Sequence, residues 1–154
     1  MEEFVKIFKV CDILKILMKT SVHLIISLII AAILYPFFGI KSAATIFGGV
    51  LIDVDHYLWY VYKYRKTGLM DAYRFYARNI EVNDYTNVKG ILLIFHTIEF
   101  LVICVVLSFY FRMALLFTVG LISHYIFDFI FLMAVTKGFI VNHSVFYWLC
   151  KRNH

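Results

Sequence analysis

Three short stretches of this chain set an imidazole one helical turn from a carboxylate: Asp53 with His56, His96 with Glu99, and His124 with Asp128. Spacings of three or four residues put both members of a pair on one face of a helix. Asp55 and His23 lie in the same apolar surroundings, "GGVLIDVDHYLW" at 48–59 and "TSVHLIISLII" at 20–30. Asp55 stands about 200 degrees around a regular helix from Asp53, so it shares that face only if the helix is distorted, for which Gly48 and Gly49 give scope. A donor set of nitrogen and oxygen alone suits Zn²⁺, with Mn²⁺ or Fe²⁺ as alternatives, better than Mg²⁺ or Cu⁺. It would serve one ion with many outer partners or two ions sharing a carboxylate, and the sequence leaves both open.

The chemistry such a set supports is metal-assisted hydrolysis, in which a bound cation lowers the pKa of water and polarises a phosphoryl or acyl oxygen. Asp53, His56, His96, His124 and Asp128 are the expected metal ligands, with His23 a further one at the rim. Glu99 or Asp55, whichever is left uncoordinated, is the expected general base.

The elements that must position these groups are membrane spans. The chain has 154 residues, 63% of them hydrophobic, and a mean hydropathy of +0.85, well beyond a soluble domain. Four stretches, 21–38, 43–62, 91–111 and 114–134, approach the roughly 20 apolar residues that cross a bilayer. The fold expected is all-α: a single integral-membrane domain over 1–154, a four-helix bundle of two hairpins. Amphipathic interfacial helices are expected at the N-terminus, in the central loop around "GLMDAYRFYARNI", and at the C-terminus.

Lysine and arginine set the orientation: residues 1–20 hold four, 63–90 hold six and 135–154 hold three, whereas the tight turns hold only Lys41 and Arg112. Both termini and the long loop are therefore expected in the cytoplasm. The net charge of +5 then reflects topology and contact with anionic lipid, and no nucleic-acid partner is expected. Cys11, Cys104 and Cys150 have no metal-type spacing and read as reduced, structural thiols. His143 reads as an interfacial residue.

Four of the ten acidic residues fall inside the expected spans, and no Lys or Arg lies there to neutralise them. Each unpaired carboxylate costs about 2.5–3.5 kcal/mol near the bilayer centre on insertion scales, which leaves protonation or a bound cation. At about 1.5 Å per residue the paired groups of all three spans lie roughly 8–15 Å below the cytoplasmic end, and His23 about 3 Å. That common depth turns a scatter of polar residues into a site.

"GGVLIDVDH", "FHTIEF" and "GLISHYIFD" together resemble the elements of the YdjM-like family of membrane-bound, metal-dependent hydrolases, also described as inner-membrane-associated putative hydrolases. The family's D-x-D-H element corresponds to Asp53, Asp55 and His56, its next histidine element to His96, and its G-x-x-x-H with a following aspartate to Gly120, His124 and Asp128. His23 resembles the family's early histidine. The resemblance covers roughly residues 20–130; Ile52 stands where the family usually has proline, and "HTIE" is reduced from a richer histidine element. It implies a metal-dependent hydrolase of the inner membrane, and a site opening about 10 Å below the cytoplasmic surface, facing headgroups and ester linkages, makes an ester or phosphoester of a lipid-like substrate reached from the cytoplasmic leaflet the expected target. Lys63, Arg65, Lys66, Arg74 and Arg78 could hold an anionic headgroup or simply set topology. Two other classes stay open: an ion or proton transporter, disfavoured by the apolar outer halves of the spans, and a non-catalytic membrane protein with a structural metal. The oligomeric state is not legible.

Overall fold

The computed structural model describes residues 20–82, 84–133 and 143–152, and the regular structure among them is helical, with no strand. Helix α1 (Thr20–Phe38) is mostly aliphatic, with Pro36 in its last turns, after which Gly39 takes a left-handed backbone, φ 56°. The chain reverses there through a 3₁₀ turn, Gly39–Ala43, into α2 (Ala44–Val50), which packs back on α1. A second 3₁₀ turn, Leu51–Asp53, separates α2 from α3 (Val54–Tyr64). The amphipathic α4 (Leu69–Val82) follows, at the place expected of a surface helix. A 3₁₀ turn at Ile94–His96 precedes α5 (Ile98–Ser108), then α6 (Arg112–Phe131) and α7 (Val145–Arg152).

Two stretches, Thr20–Tyr64 with 45 residues and Arg112–Phe131 with 20, are long and apolar enough to cross a membrane. The first contains the expected spans 21–38 and 43–62, folded back on each other. The expected span at 91–111 is corrected: it is α-helical only over the 11 residues of α5. At 1.5 Å per residue α5 reaches about 16 Å, roughly half the hydrocarbon thickness. The cause is local, because Thr97 is extended (φ −95°, ψ 151°) and its hydroxyl caps α5 by accepting from the Phe100 amide. The amphipathic helix expected over residues 1–20, with Cys11, lies outside the described residues except for Thr20.

The packing is inside out relative to a water-soluble protein. On α1 the buried positions are His23, Ser27 and Ala31, spaced four apart, while Leu24, Ile25, Leu28, Ile29 and Ile33 face outward. Helix α6 repeats the pattern in part, burying Thr118, Gly120 and His124 together with Leu116, Leu121 and Phe131 and exposing Ile122, Ile126, Phe129 and Ile130. Such an arrangement is favourable in an apolar solvent, where aliphatic side chains gain nothing by leaving lipid and polar ones gain partners.

Helix α2 is central, with its most extensive contacts against α6 and further packing on α1. Glycines permit it: a Cβ on Gly48 would strike the Phe117 carbonyl, one on Gly49 the Ser27 hydroxyl, and one on Gly120 the Thr45 carbonyl. Backbones in such close approach are the small-residue packing by which helices associate in lipid. Helix α5 joins α6 through hydroxyls, Ser108 Oγ donating to Thr118 Oγ1 at 2.9 Å and Thr118 donating to the Cys104 carbonyl at 3.1 Å.

Gly120→Ala should force α2 and α6 apart, because the added methyl meets fixed backbone. The expected loss is about 1–3 kcal/mol, read as a lower thermal midpoint of the detergent-solubilised protein; an unchanged midpoint would show that the helices are not held at this separation.

Candidate metal centre

The break between α2 and α3 makes the site. Val50 departs from helical geometry (φ −128°, ψ −44°), and the following 3₁₀ turn changes the angular step so that Asp53 and Asp55 both reach the same cluster. The distortion falls just after the glycine pair, whose small size serves close packing. Asp55 spans two histidines: its Oδ1 lies 3.1 Å from His56 Nδ1, while its Oδ2 lies 3.1 Å from His96 Nδ1 and accepts the Phe95 amide at 3.0 Å. Both of its oxygens are therefore engaged in orienting side chains.

His124 is fixed from the opposite side, since its Nδ1 stands 2.9 Å from the Gly49 carbonyl and must donate to it. His96 and His124 consequently turn their Nε2 atoms toward each other, 3.4 Å apart. Oδ2 of Asp128 lies 3.1 Å from His124 Nε2 and 3.6 Å from His96 Nε2. Oδ1 of Asp53 lies 3.5 Å and 3.7 Å from the same two nitrogens. A tetrahedral ion with ligand bonds near 2.0–2.1 Å sets its donors about 3.3–3.4 Å apart. These five separations bracket that edge, and each imidazole is held by its other nitrogen in the manner of a histidine ligand.

Three overlapping groups converge closely enough to hold an ion: Asp53 with His96 and His124; His23 with His124 and Asp128; and Asp55 with His56 and His96. His23 stacks on the His124 ring, centroids 3.9 Å apart, and its Nε2 lies 3.5 Å from Asp128 Oδ1. His56 stands edge-on to His96, and its Nδ1 is 3.8 Å from Asp53 Oδ1. Thr20 donates to Asp53 Oδ2 at 3.1 Å, so the start of α1 steadies that carboxylate.

Glu99 stands apart from these groups. The Ser144 hydroxyl donates to its Oε1 at 2.6 Å and the Phe146 amide approaches the same oxygen at 3.4 Å, which ties α5 to the start of α7. The three-residue rule that pairs His96 with Glu99 applies within one helix, and the extended Thr97 lies between them. Tyr125 braces that break by donating to the carbonyls of Phe95, at 2.7 Å, and Thr97, at 3.1 Å. His143, expected from the sequence to be merely interfacial, adjoins the site, its Nδ1 donating to the His96 carbonyl at 3.2 Å, while its own carbonyl accepts the Ile98 amide. Burial pushes its pKa down. No periodicity marks it, because it precedes a helix on a segment remote in sequence.

The cluster forms one end of a cavity of about 860 Å³ lined by α1, α3, α4 and the segment 85–96. His124 is sealed in behind the wall, whereas Asp53, His56, His96 and Asp128 line the cavity. Tyr76 of α4 donates to the His56 carbonyl at 2.9 Å and packs edge-on against the His56 ring, and burial pushes its phenol pKa up. A run of rings, Trp59, Tyr60, Tyr64, Phe75 and Tyr76, fastens α4 to α3. Lys63, Arg65, Lys66, Arg74 and Arg78 are exposed, and none of them lines the cavity.

Comparison of the chain with protein-family models, curated proteins and solved structures returns no match in any of the three.

Replacing His124 or Asp128 by alanine should abolish divalent-ion binding by the purified protein. Asp55→Asn should weaken it about 10–100-fold by loosening two histidines, and Glu99→Gln should leave it unchanged. Metal content after dialysis, with titration calorimetry for the weakened variant, checks the ranking; a loss on Glu99→Gln equal to that on His124→Ala would contradict the assignment.

Proposed function

We propose that this chain is a membrane-embedded hydrolase dependent on a divalent metal, zinc foremost, that cleaves an ester or phosphoester bond of a lipid-like substrate. The observation that carries this reading is the set of four donors, Asp53, His96, His124 and Asp128, at tetrahedral separations, three of them on the wall of a lipid-sized apolar cavity and His124 just behind it. The resemblance of the short elements around these residues to those of the YdjM-like hydrolases is consistent with it.

Bound there, the ion would supply Lewis acidity toward a phosphoryl or acyl oxygen and a water of lowered pKa. The chain's own residues do the rest. Asp55, the Gly49 carbonyl and Thr20 hold the ligands in place. His23 is the proton acceptor: its Nε2 faces Asp128 Oδ1, the oxygen turned away from the four-donor cluster, and it lines the cavity. Hydrolysis then proceeds by addition of water oxygen to the acyl carbon or phosphorus as the ester bond breaks. The water proton passes to His23 Nε2 and from there to the departing oxygen. Glu99 has no part in this scheme, and Asp55 acts as a positioning residue rather than as the base.

A structural metal site is the second reading, favoured by one specific feature: four protein donors can close a tetrahedron and leave no position for substrate. The cavity favours catalysis, because a purely structural ion has no use for an opening beside its carboxylates.

In the topology proposed here the chain crosses the membrane several times, with both termini and α4 at the cytoplasmic face of the inner membrane, as the lysine and arginine distribution requires. The site then lies within reach of inner-leaflet headgroups. Cys150 is exposed on α7 and reports on this directly. A membrane-impermeant maleimide should label it in inside-out vesicles and not in intact cells; the reverse pattern would invert the topology.

Chelation should abolish hydrolysis of phosphodiester and lipid-ester model substrates, and Zn²⁺ or Mn²⁺ should restore it. His23→Gln should lower kcat about 10²–10⁴-fold with metal content unchanged. Stoichiometric metal without turnover on any substrate of either class would favour the structural reading.

A further inference from the structure

The cavity is apolar over most of its wall, with Leu69, Met70, Val88, Ile91 and Leu93 among its lining, yet on the part of the wall away from the metal cluster two side chains hold a hydrogen-bonding atom without a partner among the described residues. The amide nitrogen of Asn79 and the hydroxyl of Tyr85 are both buried without a hydrogen bond among the described residues. Asn79 is only 8% exposed, so water outside the protein does not serve it. A buried donor left unmet costs about 1–3 kcal/mol, and native structures retain few of them unless something binds there.

Placement relates these two residues to the metal centre. Ala72, Tyr76 and Asn79 share the inner face of α4, at steps of four and three residues. Tyr76 is hydrogen-bonded to the His56 carbonyl beside the cluster, and Asn79 stands about one helical turn, some 5 Å, farther along. Tyr85 is brought to the same wall by the end of α4, where the Asp84 amide donates to the Asn79 carbonyl at 3.0 Å. The Asp84 carboxylate then accepts from both the amide and the hydroxyl of Thr86, which fixes the turn around Tyr85. Burial pushes the Tyr85 phenol up to about 12, so it remains a donor at neutral pH.

The chemistry of the missing partner follows from what the wall contains. An amide N–H and a phenol O–H both offer hydrogens, so the ligand presents an acceptor. Among the described residues no Lys or Arg lines the cavity, and a phosphate or carboxylate taken that deep would need one. An uncharged carbonyl fits, and the aliphatic lining fits the chain attached to it.

We propose that Asn79 and Tyr85 form a carbonyl-recognition subsite, which selects lipids carrying an acyl ester a few bonds from the group presented to the metal cluster. The proposal rests on reading the cavity as the substrate chamber of that cluster, and it names the substrate class: acyl-ester lipids rather than ether lipids or soluble phosphoesters.

The test compares two probes that differ only in the carbonyl, 1-palmitoyl lysophosphatidylcholine and its 1-O-hexadecyl ether analogue, binding to the full-length protein in nanodiscs with metal removed. Binding without metal separates this inference from the hydrolase reading, because it requires no turnover. Wild type should bind the ester about tenfold more tightly than the ether. Tyr85→Phe and Asn79→Leu should each reduce that preference and the double variant should erase it, with ether affinity unchanged in all three. Unchanged ether affinity also demonstrates that the cavity is intact in the variants. Equal affinity of wild type for the two probes, binding of neither, or a preference that survives the double variant would each overturn the proposal. Equal affinity is what an ordered water already satisfying both donors would produce.

Discussion

Carboxylates in an apolar medium must have their charge balanced locally, and among the described residues no lysine or arginine lies at the carboxylate cluster for the purpose. Asp53, Asp55 and Asp128 are surrounded by His23, His56, His96 and His124, all within about 4 Å of at least one carboxylate oxygen. Neutral imidazoles cannot balance three negative charges, and imidazolium rings would have to stack on each other as His23 and His124 do. A divalent cation resolves both difficulties at once, because it attracts the carboxylates and the nitrogen lone pairs together. The rest of the architecture can be understood as what that requirement imposes.

Donors from α1, from the break after α2, from the turn before α5 and from α6 must converge within a few ångströms. Helices carrying large side chains at their contacts stay 8–10 Å apart, which works against such convergence. Glycine at 48, 49 and 120 removes the obstacle, letting α2 lie against α6 and α1 with backbone nearly touching backbone or side chain. The same closeness lets the Gly49 carbonyl serve as the hydrogen-bond partner of His124. A glycine thus contributes twice, as a space for packing and as a carbonyl for orientation. Two helix breaks complete the convergence: the 3₁₀ turn at Leu51–Asp53 aims two aspartates, and the extended Thr97, clamped by Tyr125, aims His96.

Much of this was legible because it depends on residue type and period. Apolar length located α1, α2 with α3, and α6, and the i, i+4 spacing of His124 and Asp128 survives because both lie in the uninterrupted α6. The His96 and Glu99 pairing failed for a reason of the same kind. Spacing carries an angle only while the helix is continuous, and neither glycine nor proline marks the break at Thr97. For Asp53 and Asp55 the rule erred in the opposite direction, since a local 3₁₀ step brought together residues that a regular helix would separate. His143, Asn79 and Tyr85 carry no sequence signal, because their significance lies in the cavity, which long-range packing creates.

Position along the membrane normal ties the site to its surroundings. Tyrosine and tryptophan prefer the interface between hydrocarbon and water, and the rings that join α3 to α4 fall immediately after the aspartates of the α2–α3 break. Helix α4 is therefore held at interfacial depth while its inner face closes the cavity over the cluster. A membrane helix bundle without α4 would expose Asp53, His56 and Asp128 to lipid on that side, where charged groups are costly. A site lying deeper would be sealed from headgroups, and one lying shallower would be flooded by water that screens the carboxylates. In the proposed topology the aromatic hairpin would set the depth at which a metal centre is both dry enough to hold its charge balance and close enough to the headgroup layer to meet a lipid.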